Sequence, residues 1–200
     1  TGGDPNTAMY VPPWFRRDFA LFGEALVPGA GLILDNGRFV DAAHRVFGAD
    51  AVVRPSIVYV NVMLPSVAPF VPHLDVPAFR GFTRADHPLW LMKVMIDAGL
   101  FEPWRIKLAT AVSWFYEGQG GGFHYWADGP EGPEGIIEPP FRNVAVLSDN
   151  ERTYHGVAPV GGPESPFVKG LTRDSLLHRV DGGWEMRDGD RVIGSGTDAE

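Results

Sequence analysis

Residues 143–162 read NVAVLSDNERTYHGVAPVGG, and this stretch decides the fold class of the chain. Residues 143–148 and 153–160 are short and rich in β-branched residues, which is typical of strands. Asp149-Asn150 between them has the composition of a turn. We therefore predict a hairpin that presents His155 inward, within a fold built mainly from β-strands.

The rest of the chain extends this pattern on both sides. Strands are predicted at 52–64, 109–116 and 174–180, with a short extended segment at 72–79 and a hairpin over 184–193 that turns at Asp188-Gly189. Apolar residues at helical spacing predict helices over 14–27, 40–47 and 87–108, the last split at Pro103. Short strands separated by turn residues indicate a sandwich, barrel or jelly roll of the α+β class, with helices mainly in the N-terminal half.

Composition limits the chemistry. The 200 residues include no cysteine, so any bound metal must be held by His, Asp or Glu. A net charge of −8 disfavours binding to a nucleic-acid backbone. No apolar run reaches the ~18 residues needed to cross a bilayer, and no targeting segment is visible, so we expect a cytoplasmic protein without a membrane segment. We expect one domain over 1–200, with helices in 1–50 and the β core over 52–195.

One set of residues has the pattern of a metal site. His73 and Asp75 form His-x-Asp in PHLDVPAF, where residues two positions apart project from the same face of an extended segment. His155 lies on a later predicted strand. Two imidazoles and one carboxylate suit one face of an octahedral metal and leave the opposite face open, as in non-haem Fe(II) oxygenases. The alternative for His-x-Asp alone is a surface turn or a structural histidine.

The pattern from Val52 to Val180 resembles the Fe(II)/2-oxoglutarate-dependent dioxygenases. The matching features are His-x-Asp, the strands around the distal His155, and LTRDSLLHRV with its Arg-x-Ser pair. The resemblance implies a double-stranded β-helix, a jelly-roll type of fold, in which His73, Asp75 and His155 bind iron. It also implies that Arg173 and Ser175 bind the far carboxylate of 2-oxoglutarate. Lys169 is the alternative residue for binding this carboxylate. It lies 14 positions after His155, whereas Arg173 lies 18 positions after it.

The activity implied is oxidation, by default hydroxylation, of a small molecule or an amino-acid or peptide-like substrate by O2, with release of succinate and CO2. His124, Tyr125 and Trp126 in GGGFHYWADG are candidate substrate contacts, or alternatively parts of a packed aromatic turn. Two other functions stay open. One is a cupin-like metalloenzyme that does not use 2-oxoglutarate, and the other is a metal-free jelly-roll binding module.

Overall fold

The computed structural model describes residues 14–65, 70–82, 87–162, 170–172 and 174–197. Strands predominate over helices among them, which confirms the mainly β, α+β class. In chain order the elements are β1 (Trp14–Leu21), β2 (Glu24–Ala25), α1 (Ala30–Leu34), α2 (Gly37–Phe47), β3 (Val58–Met63), β4 (Ala78–Phe79), α3 (Leu89–Asp97), a 3-10 helix (Glu102–Trp104), β5 (Arg105–Ile106), β6 (Thr110–Tyr116), β7 (Phe123–Trp126), β8 (Gly135–Ile137), β9 (Phe141–Ser148), β10 (Tyr154–Val157), β11 (Leu176–Val180), β12 (Gly183–Asp188) and β13 (Arg191–Thr197).

Within the described ranges the strands pair into three three-stranded sheets, in the orders β2-β1-β3, β10-β7-β8 and β11-β12-β13, and two two-stranded sheets, β4-β5 and β6-β9. None of these sheets closes on itself, so the jelly-roll core stays a prediction. The β6-β9 pair packs against β7 through aromatic rings. The Trp114 ring lies 5.4 Å from that of Phe123 and 5.0 Å from that of Phe141, and both phenylalanines are buried. No helix in the described ranges has the length and apolarity needed to cross a membrane.

The predicted hairpin around His155 is wrong. β9 pairs with β6, and β10 pairs with β7, so residues 149–153 carry the chain from one sheet to another. The N–H groups of Arg152 and Thr153 both donate to the Asp149 carbonyl, which makes a single helix-like turn between two strands that do not pair with each other. The prediction that His155 points inward is confirmed, since His155 is 5% exposed.

The predicted helix over 14–27 is also wrong. β1 pairs with β3 and turns into β2 through Phe22 and Gly23, which have φ values of 52° and 87°. Two consecutive residues with positive φ between paired strands match a type I′ turn, whose twist suits a hairpin. The aromatic residues that gave a helical spacing also favour strands, and pairing with β3 decides between the two.

The other predicted elements differ mainly in length. α2 confirms the helix at 40–47 and begins earlier, where the Asn36 side chain accepts a hydrogen bond from the Arg38 N–H. The helix at 87–108 stops at Asp97, and Gly99 follows with a φ of 65°, so the helix ends before Pro103. The strand at 52–64 is reduced to β3, while β6, β9 and the β12-β13 hairpin are confirmed. β8 lies within residues expected to form a loop.

A buried ion pair holds the turn between β9 and β10 in place. The Arg105 guanidinium donates to Glu151 Oε2 from Nε at 3.0 Å and from Nη2 at 2.8 Å, and the Ala78 N–H donates to Glu151 Oε1 at 3.2 Å. The Glu151 side chain is 2% exposed. Burial raises the pKa of Glu151 above its ordinary value, and Arg105 counteracts that rise. The turn is therefore fixed to both β4 and β5.

Replacing Arg105→Met should lower the free energy of unfolding by about 3–5 kcal/mol, because it leaves the Glu151 carboxylate buried without a partner. Since burial already raises the Glu151 pKa and the substitution removes the opposing charge, the loss should be large at pH 8 and smaller as the carboxyl protonates towards pH 4. Urea unfolding across this pH range measures both effects.

The matched control for this experiment is Arg142→Met. Arg142 pairs with Glu117 at 3.1 Å on the surface, where both side chains are more than half exposed, so its loss should change stability by about 0.5 kcal/mol or less. The double variant Arg105→Met/Glu151→Leu should recover most of the stability. A loss for Arg105→Met no greater than that of the control would show that the buried pair does not hold the turn.

Candidate metal centre

His73 and His155 are brought together by their backbones. The His73 N–H donates to the His155 carbonyl at 2.8 Å, and the His155 N–H donates to the His73 carbonyl at 3.0 Å. Residues that exchange both hydrogen bonds across an antiparallel pair present their side chains on the same side. The two imidazole rings accordingly lie with their centroids 4.7 Å apart.

Asp75 joins the two histidines because a separate backbone hydrogen bond holds its segment against the turn before β10. The Asp75 N–H donates to the Asn150 carbonyl at 2.9 Å, so residues 73–75 run beside the turn and β10. Asp75 Oδ1 lies 3.7 Å from His155 Nε2. One ligand atom from each of His73, Asp75 and His155 lies within 4.8 Å of the others. The prediction that these three residues form a group able to hold a metal ion is confirmed.

Hydrogen bonds to backbone carbonyls orient both imidazole rings. His73 Nδ1 lies 3.1 Å from the Val71 carbonyl oxygen, and His155 Nδ1 lies 2.9 Å from that of Thr153. A carbonyl only accepts, so each Nδ1 carries the proton, and the Nε2 of the neutral ring keeps its lone pair. A histidine held in this way by a backbone carbonyl is typical of metal ligands, since the bond fixes the tautomer and the ring orientation.

The three side chains differ in their access to solvent. His155 is buried and His73 is exposed, while the Asp75 side chain is 36% exposed. Phe123, whose ring lies 5.7 Å from that of His155, covers the inner side. The site is therefore closed beneath His155 and open beside His73 and Asp75. An ion held by the three residues can accept further ligands from the open side.

Asn150 is a fourth side chain at this site, and the sequence prediction gave it no role beyond a turn. Its side chain is 1% exposed, and Nδ2 lies 3.4 Å from His155 Nε2. The Ser148 hydroxyl donates to Asn150 Oδ1. The sequence carried no signal for this contact, because an Asp-Asn dipeptide is what a turn requires. Only the fold of the turn, which brings the Asn150 side chain back to His155, reveals it.

The residues predicted to bind 2-oxoglutarate are not brought to the triad by any described contact. Arg173 and Lys169 lie outside the described residues. Ser175 is buried in the turn before β11, and its hydroxyl accepts a hydrogen bond from the Thr172 N–H at 2.9 Å. This role for Arg173, Ser175 or Lys169 stays a prediction.

The three candidate substrate contacts lie on β7, on two different faces. Tyr125 pairs directly with His155 and so shares the face of the triad. His124 and Trp126 project from the other face, where both rings pack near Phe70. His124 Nδ1 also lies 2.8 Å from Glu134 Oε1. Tyr125 is therefore the only one of the three that shares a sheet face with His155.

No protein-family model matches this chain, and no curated protein or solved structure matches it. What the centre can do therefore follows from its own chemistry. Two unprotonated imidazole nitrogens and one carboxylate oxygen form a donor set that suits divalent transition metals such as Fe(II) and Zn(II). The residues present fit a metal ion.

Replacing Asp75→Ala should weaken Fe(II) binding by at least tenfold and leave the fold intact. The carboxylate is the only negatively charged member of the triad, and its half-exposed side chain contributes little to packing. Anaerobic Fe(II) titration measures the affinity, and thermal unfolding of the metal-free protein checks the fold.

Asp128→Ala serves as the control, because it removes an exposed carboxylate outside the triad. It should bind Fe(II) as the unchanged protein does. If Asp75→Ala also binds Fe(II) with unchanged affinity, Asp75 is not a ligand.

Proposed function

We propose that this protein is an Fe(II)- and 2-oxoglutarate-dependent oxygenase. Its substrate is a small molecule or an amino-acid or peptide-like compound. The observation that supports the proposal is the triad itself: His73, Asp75 and His155 converge, with both imidazoles turned so that Nε2 carries the lone pair. Two histidines and one carboxylate with open positions form the ligand set of non-haem Fe(II) oxygenases.

In this proposal each ligand has a separate task. His155 fixes the ion at the buried side, His73 completes the pair of imidazoles, and Asp75 supplies the negative charge that favours a divalent cation. Bound iron supplies the redox chemistry that couples O2 to the decarboxylation of 2-oxoglutarate and to substrate oxidation. The chain holds the ion with one side open and covers the other side with Phe123.

The partner of the cosubstrate is proposed from the family resemblance, and that of the substrate from strand pairing. Arg173 is our preferred partner for the far carboxylate of 2-oxoglutarate, since a planar guanidinium matches a carboxylate in a bidentate manner. Lys169 is the alternative. Tyr125 is the preferred substrate contact, because its cross-strand pairing with His155 puts it on the face of the triad.

The direct test is succinate release from 2-oxoglutarate by protein supplied with Fe(II), ascorbate and pools of amine, amino-acid and peptide-like compounds. The protein should release succinate, Asp75→Ala should not, and Asp128→Ala should behave as the parent. A chelator should abolish the reaction, and renewed Fe(II) should restore it. Mass spectrometry of an active pool identifies the substrate by a gain of one oxygen atom.

Each negative result points to another function. Iron binding without 2-oxoglutarate binding or succinate release would favour a cupin-like metalloenzyme. If protein purified without oxygen contains no iron and binds none when it is titrated with Fe(II), the result would favour a metal-free binding module. Either result would refute the proposed oxygenase.

Replacing Arg173→Ala should weaken 2-oxoglutarate binding to the iron-loaded protein by about one to two orders of magnitude. A hydrogen bond to a charged group contributes roughly 1.5–3 kcal/mol, and each ~1.4 kcal/mol is a factor of ten. Fe(II) affinity without 2-oxoglutarate should stay the same. Lys169→Ala is the paired variant, and a large loss there with none for Arg173→Ala would reassign the anchor to Lys169.

A further inference from the structure

The buried amide of Asn150 belongs to a chain of hydrogen bonds in which every donor and acceptor is determined. His155 Nδ1 must donate, because its partner is the Thr153 carbonyl. His155 Nε2 of the neutral ring is therefore an acceptor, and the amide end of Asn150 that faces it at 3.4 Å must be the NH2 group. The remaining oxygen, Oδ1, accepts from the Ser148 hydroxyl. The positions of N and O in this amide follow from its partners.

A metal ion at the triad breaks this chain at one point. The ion takes the Nε2 lone pair of His155, which is the acceptor that the Asn150 N–H uses. Asn150 is 1% exposed, so water cannot replace that acceptor at the protein surface. A buried donor without a partner is costly. The amide is therefore left beside the ion with an N–H group that requires a new acceptor.

We propose that Asn150 donates this hydrogen bond to an oxygen ligand on the bound metal, and that it thereby selects carboxylate co-ligands for the open side of the centre. This inference rests on the proposed metal centre, but it does not require 2-oxoglutarate to be the cosubstrate. An ion bound to Nε2 would occupy the lone-pair direction along which the Asn150 NH2 group now approaches that atom, so the amide would turn aside when the ion binds. From its new position the N–H group would reach an oxygen ligand of the ion through one hydrogen bond.

A competing role for Asn150 is direct coordination. The Ser148 hydroxyl can accept as well as donate, so the amide could reverse and turn Oδ1 towards the ion. Direct coordination predicts that metal binding alone depends on Asn150. Donation to a co-ligand predicts that metal binding alone does not depend on it, and that the affinity of the loaded site for carboxylates does.

The test uses Asn150→Leu and Asn150→Asp, with Mn(II) as an air-stable ion and with oxalate and 2-oxoglutarate as separate co-ligand probes. For Asn150→Leu we expect Mn(II) affinity that is unchanged or higher, because no hydrogen bond is lost when the ion binds. We expect about tenfold weaker binding of oxalate to the loaded protein. Calorimetric titration of Mn(II), followed by titration of each probe, measures both.

Asn150→Asp keeps the shape of the side chain but replaces the donor with a second carboxylate. Mn(II) affinity should rise and oxalate affinity should fall. Two changes of opposite sign cannot come from a misfolded protein, so this variant shows that residue 150 lies beside the ion and its co-ligand even if Asn150→Leu is unstable.

Two results would overturn the inference. Unchanged oxalate affinity in both variants would show that Asn150 does not contact the co-ligand. A tenfold loss of Mn(II) affinity in Asn150→Leu would show direct coordination. Because oxalate binding is measured separately, failure of 2-oxoglutarate alone to bind the parent protein would count against the oxygenase proposal and not against Asn150.

Discussion

The two backbone hydrogen bonds between His73 and His155 are the interaction on which the candidate centre depends. These residues lie 82 positions apart in the sequence, and the hydrogen bonds of 2.8 and 3.0 Å place them directly opposite each other. A shift of one residue in this pairing would turn one imidazole to the other face and separate the ligands. A separate hydrogen bond, from the Asp75 N–H to the Asn150 carbonyl, sets the position of Asp75 beside the turn. Metal-binding geometry is thus a consequence of register.

The register is in turn held by the Arg105–Glu151 pair. Glu151 follows Asn150 in the turn, and its carboxylate accepts from Ala78, three residues after Asp75, as well as from Arg105 on β5. The segment that carries His73 and Asp75 is therefore linked to the turn before His155 by side-chain and backbone bonds together. Buried ion pairs add little to stability compared with apolar replacements, and their better-supported use is to specify one arrangement. Here the arrangement specified is that of the ligands.

The sequence predicted the parts of this protein that depend on local rules. His73 and Asp75 share a face because residues two apart do so in any extended segment, and α2 and the β12-β13 hairpin follow from spacing and turn residues. Local rules do not say which strands pair, so the partners of β9 and β10 could not be predicted. The helix predicted over 14–27 was wrong because the aromatic residues of this stretch fit helical spacing and are also favoured in strands. Asn150 was missed because its contact with His155 depends on how the turn folds, which the Asp-Asn dipeptide does not specify.

The charge of the centre supports the proposed chemistry. A divalent ion bound by two neutral imidazoles and one carboxylate keeps a net charge of +1 at the site, although the chain as a whole carries −8. The neighbouring Glu151 carboxylate does not cancel this charge, because it is paired with Arg105. An anionic oxygen ligand on the open side restores neutrality and gives the Asn150 N–H an acceptor. The electrostatic need of the ion and the hydrogen-bonding need of the buried amide are met by the same kind of molecule, a small carboxylate, and 2-oxoglutarate belongs to that class.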